Sequence, residues 1–206
     1  EDLYVESENI IVSVGRLEMD KQQWHILHAF KIVLSKYADA RLIIVGDGEL
    51  KEYLCNMSEK LGISENVIFT GYQKNVGKYL KKAKMLVMTS ETEALPCAVA
   101  EALYAGVPIV ASDCKGGIRE MISEREIQEK KTWQYVEGGI LVPEQHGRSV
   151  SNVTEEEKEL ANAIIELMVN KEQWNIVSEN CRRLSKKYQK DNIERQWLCL
   201  LNEIIA

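Results

Sequence analysis

Five short apolar runs constrain this chain more than any other feature: Ile10-Ile-Val-Ser-Val14, Leu42-Ile-Ile-Val45, Val67-Ile-Phe-Thr70, Met85-Leu-Val-Met88 and Ile109-Val-Ala111. In Met85-Leu-Val-Met88 no alternate position is polar, so as a strand it is buried on both faces, the condition of a parallel sheet covered by helices. Between the runs, apolar residues recur at helical spacing: Trp24, Leu27, Phe30, Leu34 and Tyr37; Leu50, Tyr53, Leu54, Met57 and Leu61, with Gly62 placed to end that helix; and Val76, Tyr79, Leu80 and Ala83. Strand and helix in alternation predict a doubly wound parallel α/β sheet. Later, Gly139-Ile-Leu-Val142 reads as another strand. Thr154 and Glu157 form a capping box that opens a helix with Leu160, Ile164, Leu167 and Met168 on one face. Helices are expected over 171–188 and 192–204, the last with a stripe of Ile193, Trp197, Leu200, Leu201 and Ile204 expected to pack on a core.

At 206 residues, 45% hydrophobic and 28% charged, the chain fits one globular domain. A net charge of −6 argues against nucleic acid as partner, because phosphate-backbone affinity needs clustered cations. Cys55, Cys97, Cys114, Cys181 and Cys199 are odd in number and form no C-x-x-C pair, so reduced cytoplasmic thiols are expected rather than a disulfide framework or zinc site. No stretch approaches the ~20 apolar residues of a membrane span. The acidic start Glu1-Asp-Leu-Tyr4 has no apolar signal core, and its closeness to a strand without a leading methionine suggests a piece of a longer protein.

In an open α/β sheet, ligands gather at the carboxyl ends of the strands. Residues 89–113 leave such an end. Pro96 suits the first helical position, and the free amides near Cys97 and Ala98 attract anions. Glu93 precedes this helix start and Glu101 lies on its second turn. Carboxylates repel phosphate but accept hydrogen bonds from hydroxyls, so two of them bracketing an anion site suggest a nucleotide sugar. Arg16 and Lys21 follow the first strand, a planar fork and a mobile point charge suited to a diphosphate; by spacing alone they read rather as two solvated loop cations, and only the Glu93–Glu101 motif reverses that. Gly46-Asp-Gly48 does not complete a dinucleotide-binding fingerprint, because Lys51 stands where the third glycine is needed. His25 and His28 receive no role. Gly116-Gly117 is read as a tight turn, and residues 123–138, with Trp133 and Tyr135, as a surface excursion.

Glu93, seven intervening residues and Glu101, followed by Ala-Leu-Tyr-Ala-Gly-Val-Pro108, resemble the E-x7-E region of the retaining glycosyltransferases of family 4 (group 1), which have the GT-B fold of two Rossmann-like domains. The Gly15-Arg16-Leu17 turn with Lys21 is similar to that family's G-R-L…K pattern. The resemblance implies that residues 1–206 are the second, nucleotide-sugar-binding domain, with 191–206 a terminal helix returning toward a missing N-terminal acceptor domain. It implies that Glu93 binds donor-sugar hydroxyls, that Glu101 binds the ribose, and that backbone groups of Gly15, Ala94, Leu95, Pro96 and Cys97 line the donor. Arg16 and Lys21 then stabilise the leaving diphosphate, and Tyr72, with Gly71 and Gln73, borders the base. Catalytic roles thus fall to Arg16, Lys21 and Glu93, with no metal and no cofactor, the donor being a substrate. Ala94 replaces a glycine that the family often carries, and Gln22 replaces the glycine after the lysine.

The implied activity is hexosyl transfer, with retention, from a nucleoside-diphosphate sugar, uridine being the expected base. The expected acceptor is a glycan or a lipid-linked sugar of polysaccharide synthesis, reached in the cytoplasm or at the inner face of the membrane through the missing domain. The isolated chain is expected to be inactive. Another GT-B enzyme, a phosphorylase or nucleotide-sugar epimerase, and a non-catalytic nucleotide-sugar-binding module remain open alternatives.

Overall fold

The computed structural model describes residues 9–147 and 153–205; the acidic start, residues 1–4, lies outside them. Nine strands and eight helices are found among the described residues: β1 Ile10–Val14, α1 Gln23–Leu34, β2 Arg41–Val45, α2 Lys51–Lys60, β3 Val67–Phe69, α3 Gly77–Leu80, β4 Met85–Met88, β5 Thr92–Glu93, α4 Cys97–Ala105, β6 Ile109–Ser112, β7 Lys115–Gly116, α5 Ile118–Ile122, β8 Gln134–Val136, β9 Gly139–Val142, α6 Glu155–Val169, α7 Lys171–Ser185 and α8 Lys190–Ile205. Every apolar run expected to be a strand is one.

The main sheet has the order β3-β2-β1-β4-β6-β9-β8, and the strands from β3 to β9 pair in parallel. Alternate side chains of each strand enter opposite cores, as a pleat requires. Ile11, Leu42, Ile44, Met85, Val87 and Val110 pack under α1, α2 and α6. Ile10, Val12, Ile43, Val45, Leu86 and Ile109 pack under α3, α4, α5 and α7. The strand order reverses between β1 and β4, which creates a topological switch point where their two loops diverge.

Two expectations are corrected. Residues 134–136 are not a surface excursion: they form β8, an antiparallel edge strand joined to β9 through Glu137-Gly138, so the sheet is mixed. A two-residue hairpin imposes that direction whatever the rest of the sheet does. The segment is also anchored, with Tyr135 Oη donating to Glu166 Oε1 at 3.0 Å and the Trp133 amide to Glu159 Oε2 at 3.0 Å. The apolar stripe of α8 does not pack on this chain's core either. Ile193, Trp197, Leu200, Leu201 and Ile204 are all exposed, because seven other helices already cover both sheet faces.

Candidate functional site

Three loops at the carboxyl ends of β1, β2 and β4 are fastened to one another. The Gly15 amide donates to Val45 O at 3.0 Å, Leu17 to Asp47 O at 2.9 Å, and Leu50 back to Leu17 O at 2.9 Å. Gly46 is essential to this approach: at φ 148° a Cβ would lie 1.9 Å from Gly15 O. On the other side, Thr89 Oγ1 at the end of β4 donates to the carbonyls of Lys21 and Gln22, at 3.1 and 2.9 Å, and the Glu91 amide donates to Asp20 O at 2.8 Å. The β1 loop is thus held from both flanks.

This clamping brings Lys21 and Glu93 together across the switch point. Lys21 Nζ donates to Glu93 Oε1 at 2.9 Å and lies 3.2 Å from Asp20 Oδ2. Ser90 Oγ donates to the same Glu93 oxygen at 2.7 Å. Burial favours the neutral amine, but the hydrogen bonds and charges of Glu93 and Asp20 outweigh it and raise the Lys21 pKa above its ordinary value. The cation therefore persists in a partly desolvated setting.

The Glu93 loop is shaped from a second direction. β5 pairs in parallel with β7, Glu93 opposite Gly116, and the Gly117 amide donates to Glu93 O at 2.9 Å. Gly116 has φ 119°, and a Cβ there would lie 1.7 Å from Glu93 O. The Gly116-Gly117 pair is therefore not a simple turn; its lack of side chains lets β7 lie against the Glu93 backbone.

Other predicted site residues stand apart from the Lys21–Glu93 contact. Arg16 does not converge with Lys21: its Nη1 pairs with Glu18 Oε1 at 2.8 Å, and its side chain is 69% exposed. Glu101 lines a separate groove of about 1160 Å³ together with Lys74, Val76, Tyr104 and Tyr188. Tyr72 is 78% exposed. Ala94, Leu95 and Cys97 are exposed, whereas Pro96 is buried. Pro96 is the residue before the helix rather than its first member, because its ψ of 115° is extended. Ala94 has no positive φ; among the described non-glycine residues only Gln22 does, at φ 49°. The backbone preference for glycine thus survives after the lysine and not after the glutamate.

Sequence reasoning missed a buried cluster on the far side of α1. Glu157 Oε1 lies 2.6 Å from His25 Nδ1 and 2.7 Å from His28 Nδ1, all three side chains at most 2% exposed. The other Glu157 oxygen accepts from the Thr154 amide at 2.9 Å, which completes the capping box. Burial works against the carboxylate, but hydrogen bonds from His25, His28 and Thr154 prevail and lower its pKa to about 2. Only the capping box was visible in sequence, since 132 and 129 residues separate Glu157 from its two histidines. Asp113, buried at the end of β6, is held by Arg119, whose Nη2 donates to Asp113 Oδ2 at 2.7 Å. Beside it the Cys114 thiol is pushed up to about 11 by burial, with the Glu93 charge adding to the effect, so it stays protonated. Among the described residues no group of three or more His, Cys, Asp or Glu is arranged to hold a metal ion.

Comparison with known proteins gives the family and the fold. An uncharacterized glycosyltransferase of Methanocaldococcus jannaschii is 34% identical over 204 residues, which cover 95% of this chain and 50% of that protein. The poly(glycerol-phosphate) alpha-glucosyltransferase of Bacillus subtilis is 28% identical over 194 residues, 94% of this chain and 26% of its own length. The chain therefore spans half the length of the first relative and about a quarter of the second. Among solved structures, Anabaena HepE in complex with UDP-glucose superposes with a TM-score of 0.76 at 20% identity, covering 97% of this chain and 50% of that one. That likeness shows the fold, a Rossmann-like α/β unit shared with GT-B glycosyltransferases. Residues 3–190 match the family described as glycosyl transferases group 1, and the chain belongs to that family.

Proposed function

We propose that this chain is the donor-binding half of a retaining glycosyltransferase, moving a sugar from a uridine-diphosphate sugar to a glycan or lipid-linked acceptor held by the rest of a longer protein. The observation that carries this reading is the Lys21–Glu93 contact at the switch point. A cation suited to phosphate and a carboxylate suited to sugar hydroxyls sit side by side and neutralise each other. A nucleotide sugar gives each a partner of its own: the diphosphate draws Lys21 away, and the released Glu93 accepts hydrogen bonds from the transferred ring. The relatives and neighbours with sugar-transferring names, and HepE with UDP-glucose, support the same reading.

Arg16 completes the anion site by leaving Glu18, an exposed pair worth at most ~1 kcal/mol and so easily exchanged. The first-turn amides of α4 face the same phosphates. Positive charge so placed stabilises the diphosphate as it departs, the step in which its negative charge grows. The bond from the anomeric carbon to phosphate oxygen breaks, a bond to the acceptor hydroxyl oxygen forms on the same face, and the hydroxyl proton passes to the leaving phosphate. Glu101 takes the ribose, and the nucleoside lies along the groove that Glu101 lines.

Titration calorimetry of Lys21→Ala and Arg16→Ala with uridine diphosphate and with uridine tests this. Each variant is expected to lose about tenfold or more in diphosphate affinity, from a charged hydrogen bond of ~1.5–3 kcal/mol, and nothing toward uridine. Equal losses for both ligands would make the residue structural and sink its assigned role.

A further inference from the structure

Thr89 and Ser90 directly follow β4, both buried, and their hydroxyls serve opposite partners of the Lys21–Glu93 contact. Thr89 shares its single hydroxyl hydrogen between the carbonyls of Lys21 and Gln22, so it fixes the backbone from which the cation extends. Ser90 Oγ donates at 2.7 Å to Glu93 Oε1, the same oxygen that accepts from Lys21 Nζ at 2.9 Å. One hydroxyl holds the chain that carries the cation; the other holds the carboxylate itself.

The two bonds that end on Glu93 Oε1 differ in what a bound anion does to them. Lys21 comes from another loop, 72 residues away in sequence, and its full charge is what a diphosphate attracts. Ser90 lies three residues from Glu93 in the same loop and carries no net charge, so a diphosphate competes for it far less strongly. The hydroxyl bond therefore outlasts the ion pair. Once its cation has gone, the Glu93 side chain, 11% exposed, still has one oxygen pinned by a neutral donor. Among the described residues no hydrogen bond ends on its other oxygen, which is left for a ring hydroxyl.

The backbone of this loop does not depend on Ser90. The Glu91 amide donates to Asp20 O at 2.8 Å, Glu93 pairs with Gly116, and the Gly117 amide donates to Glu93 O at 2.9 Å. What Ser90 adds is the direction of the Glu93 side chain. We propose that Ser90 is a positioning residue, which keeps the Glu93 carboxylate oriented toward the donor's sugar after Lys21 has passed to the diphosphate. This role rests on the donor-binding reading of the site, and it is exerted only through Glu93.

Titration calorimetry with uridine diphosphate and with a uridine-diphosphate hexose compares wild type, Ser90→Ala, Ser90→Thr, Glu93→Ala and the double variant Ser90→Ala, Glu93→Ala. Ser90→Ala is expected to bind the nucleotide hexose about three- to tenfold more weakly and the bare diphosphate by about twofold or less. Ser90→Thr keeps the hydroxyl, and Ser90 lines a cavity of about 420 Å³ with room for a methyl group, so this variant is expected to bind as wild type. With Glu93 removed Ser90 has nothing to orient, so the double variant is expected to bind the nucleotide hexose no more weakly than Glu93→Ala alone. A hydroxyl that merely stabilised the loop would instead add its loss to that of Glu93→Ala. Such an additional loss, an equal loss toward the two ligands, a Ser90→Thr variant as weak as Ser90→Ala, or wild-type affinity of Ser90→Ala overturns the role of Ser90 and leaves the donor reading standing. Failure of wild type to bind the nucleotide hexose overturns the donor reading, and the role of Ser90 with it.

Discussion

Glu93 and Glu157 are built alike and placed differently. Each presents one oxygen to two side-chain partners, Lys21 and Ser90 for Glu93, His25 and His28 for Glu157. Glu93 lies at a strand end where the sheet order reverses, its side chain 11% exposed. Glu157 lies sealed between α1 and α6 at 1%. A partner that an incoming ligand can replace makes a binding group; partners that nothing can reach make a structural one. Hydrogen-bond pattern alone does not separate the two, and access does.

The largest effect that would sharpen this contrast is on stability. Glu157→Ala leaves two buried imidazoles without their shared acceptor and is expected to cost about 3 kcal/mol in urea unfolding, against ~1 kcal/mol or less for Glu93→Ala. Equal losses would break the comparison. Acid titration probes the same site by charge. Glu157 has a folded pKa of about 2, well below the ordinary 4.5 of a glutamate, so through that window the unfolded state binds more protons. Its contribution, on the order of 3 kcal/mol, is complete above pH 4.5 and is lost as pH falls toward 2. Glu157→Gln should flatten that part of the stability curve. Next is Gly116→Ala, which forces β7 away from the Glu93 backbone. A loss of ~1–3 kcal/mol, together with weakened binding of a nucleotide sugar, is expected; unchanged donor binding would mean that the β5–β7 pairing does not shape the site. Smallest is Thr154→Ala, which removes half of the capping box and should cost ~1 kcal/mol without touching ligand affinity.

The strands were legible because burial on both sheet faces forbids polar alternates, a rule that marks β1, β2, β4 and β6 within a few residues. β8 escaped because Gln134-Tyr-Val136 alternates and lies at an edge, where one side chain in two faces outward. β5 and β7 escaped because two residues carry no period at all. The α8 stripe was read correctly as amphipathic, but periodicity states only that a face is apolar and not what covers it. Within the site, the Lys21 and Glu93 loops could be predicted to converge from the order of strands and loops alone. The side-chain partners could not: Arg16 turns to Glu18 two positions on instead of to Lys21, and Glu157 reaches His25 and His28 across 132 and 129 residues. Glycine substitution was a mixed guide, since Gln22 does keep the left-handed backbone and Ala94 does not.

The central claim is that Glu93 reads the sugar and Glu101 the nucleoside of one bound donor. Its most direct test is calorimetry of wild type, Glu93→Ala and Glu101→Ala with uridine diphosphate and with a uridine-diphosphate hexose. The account predicts that Glu101→Ala weakens both ligands by about tenfold, whereas Glu93→Ala weakens only the sugar-bearing one by a similar factor. Bare diphosphate weakened equally by the two substitutions would contradict it.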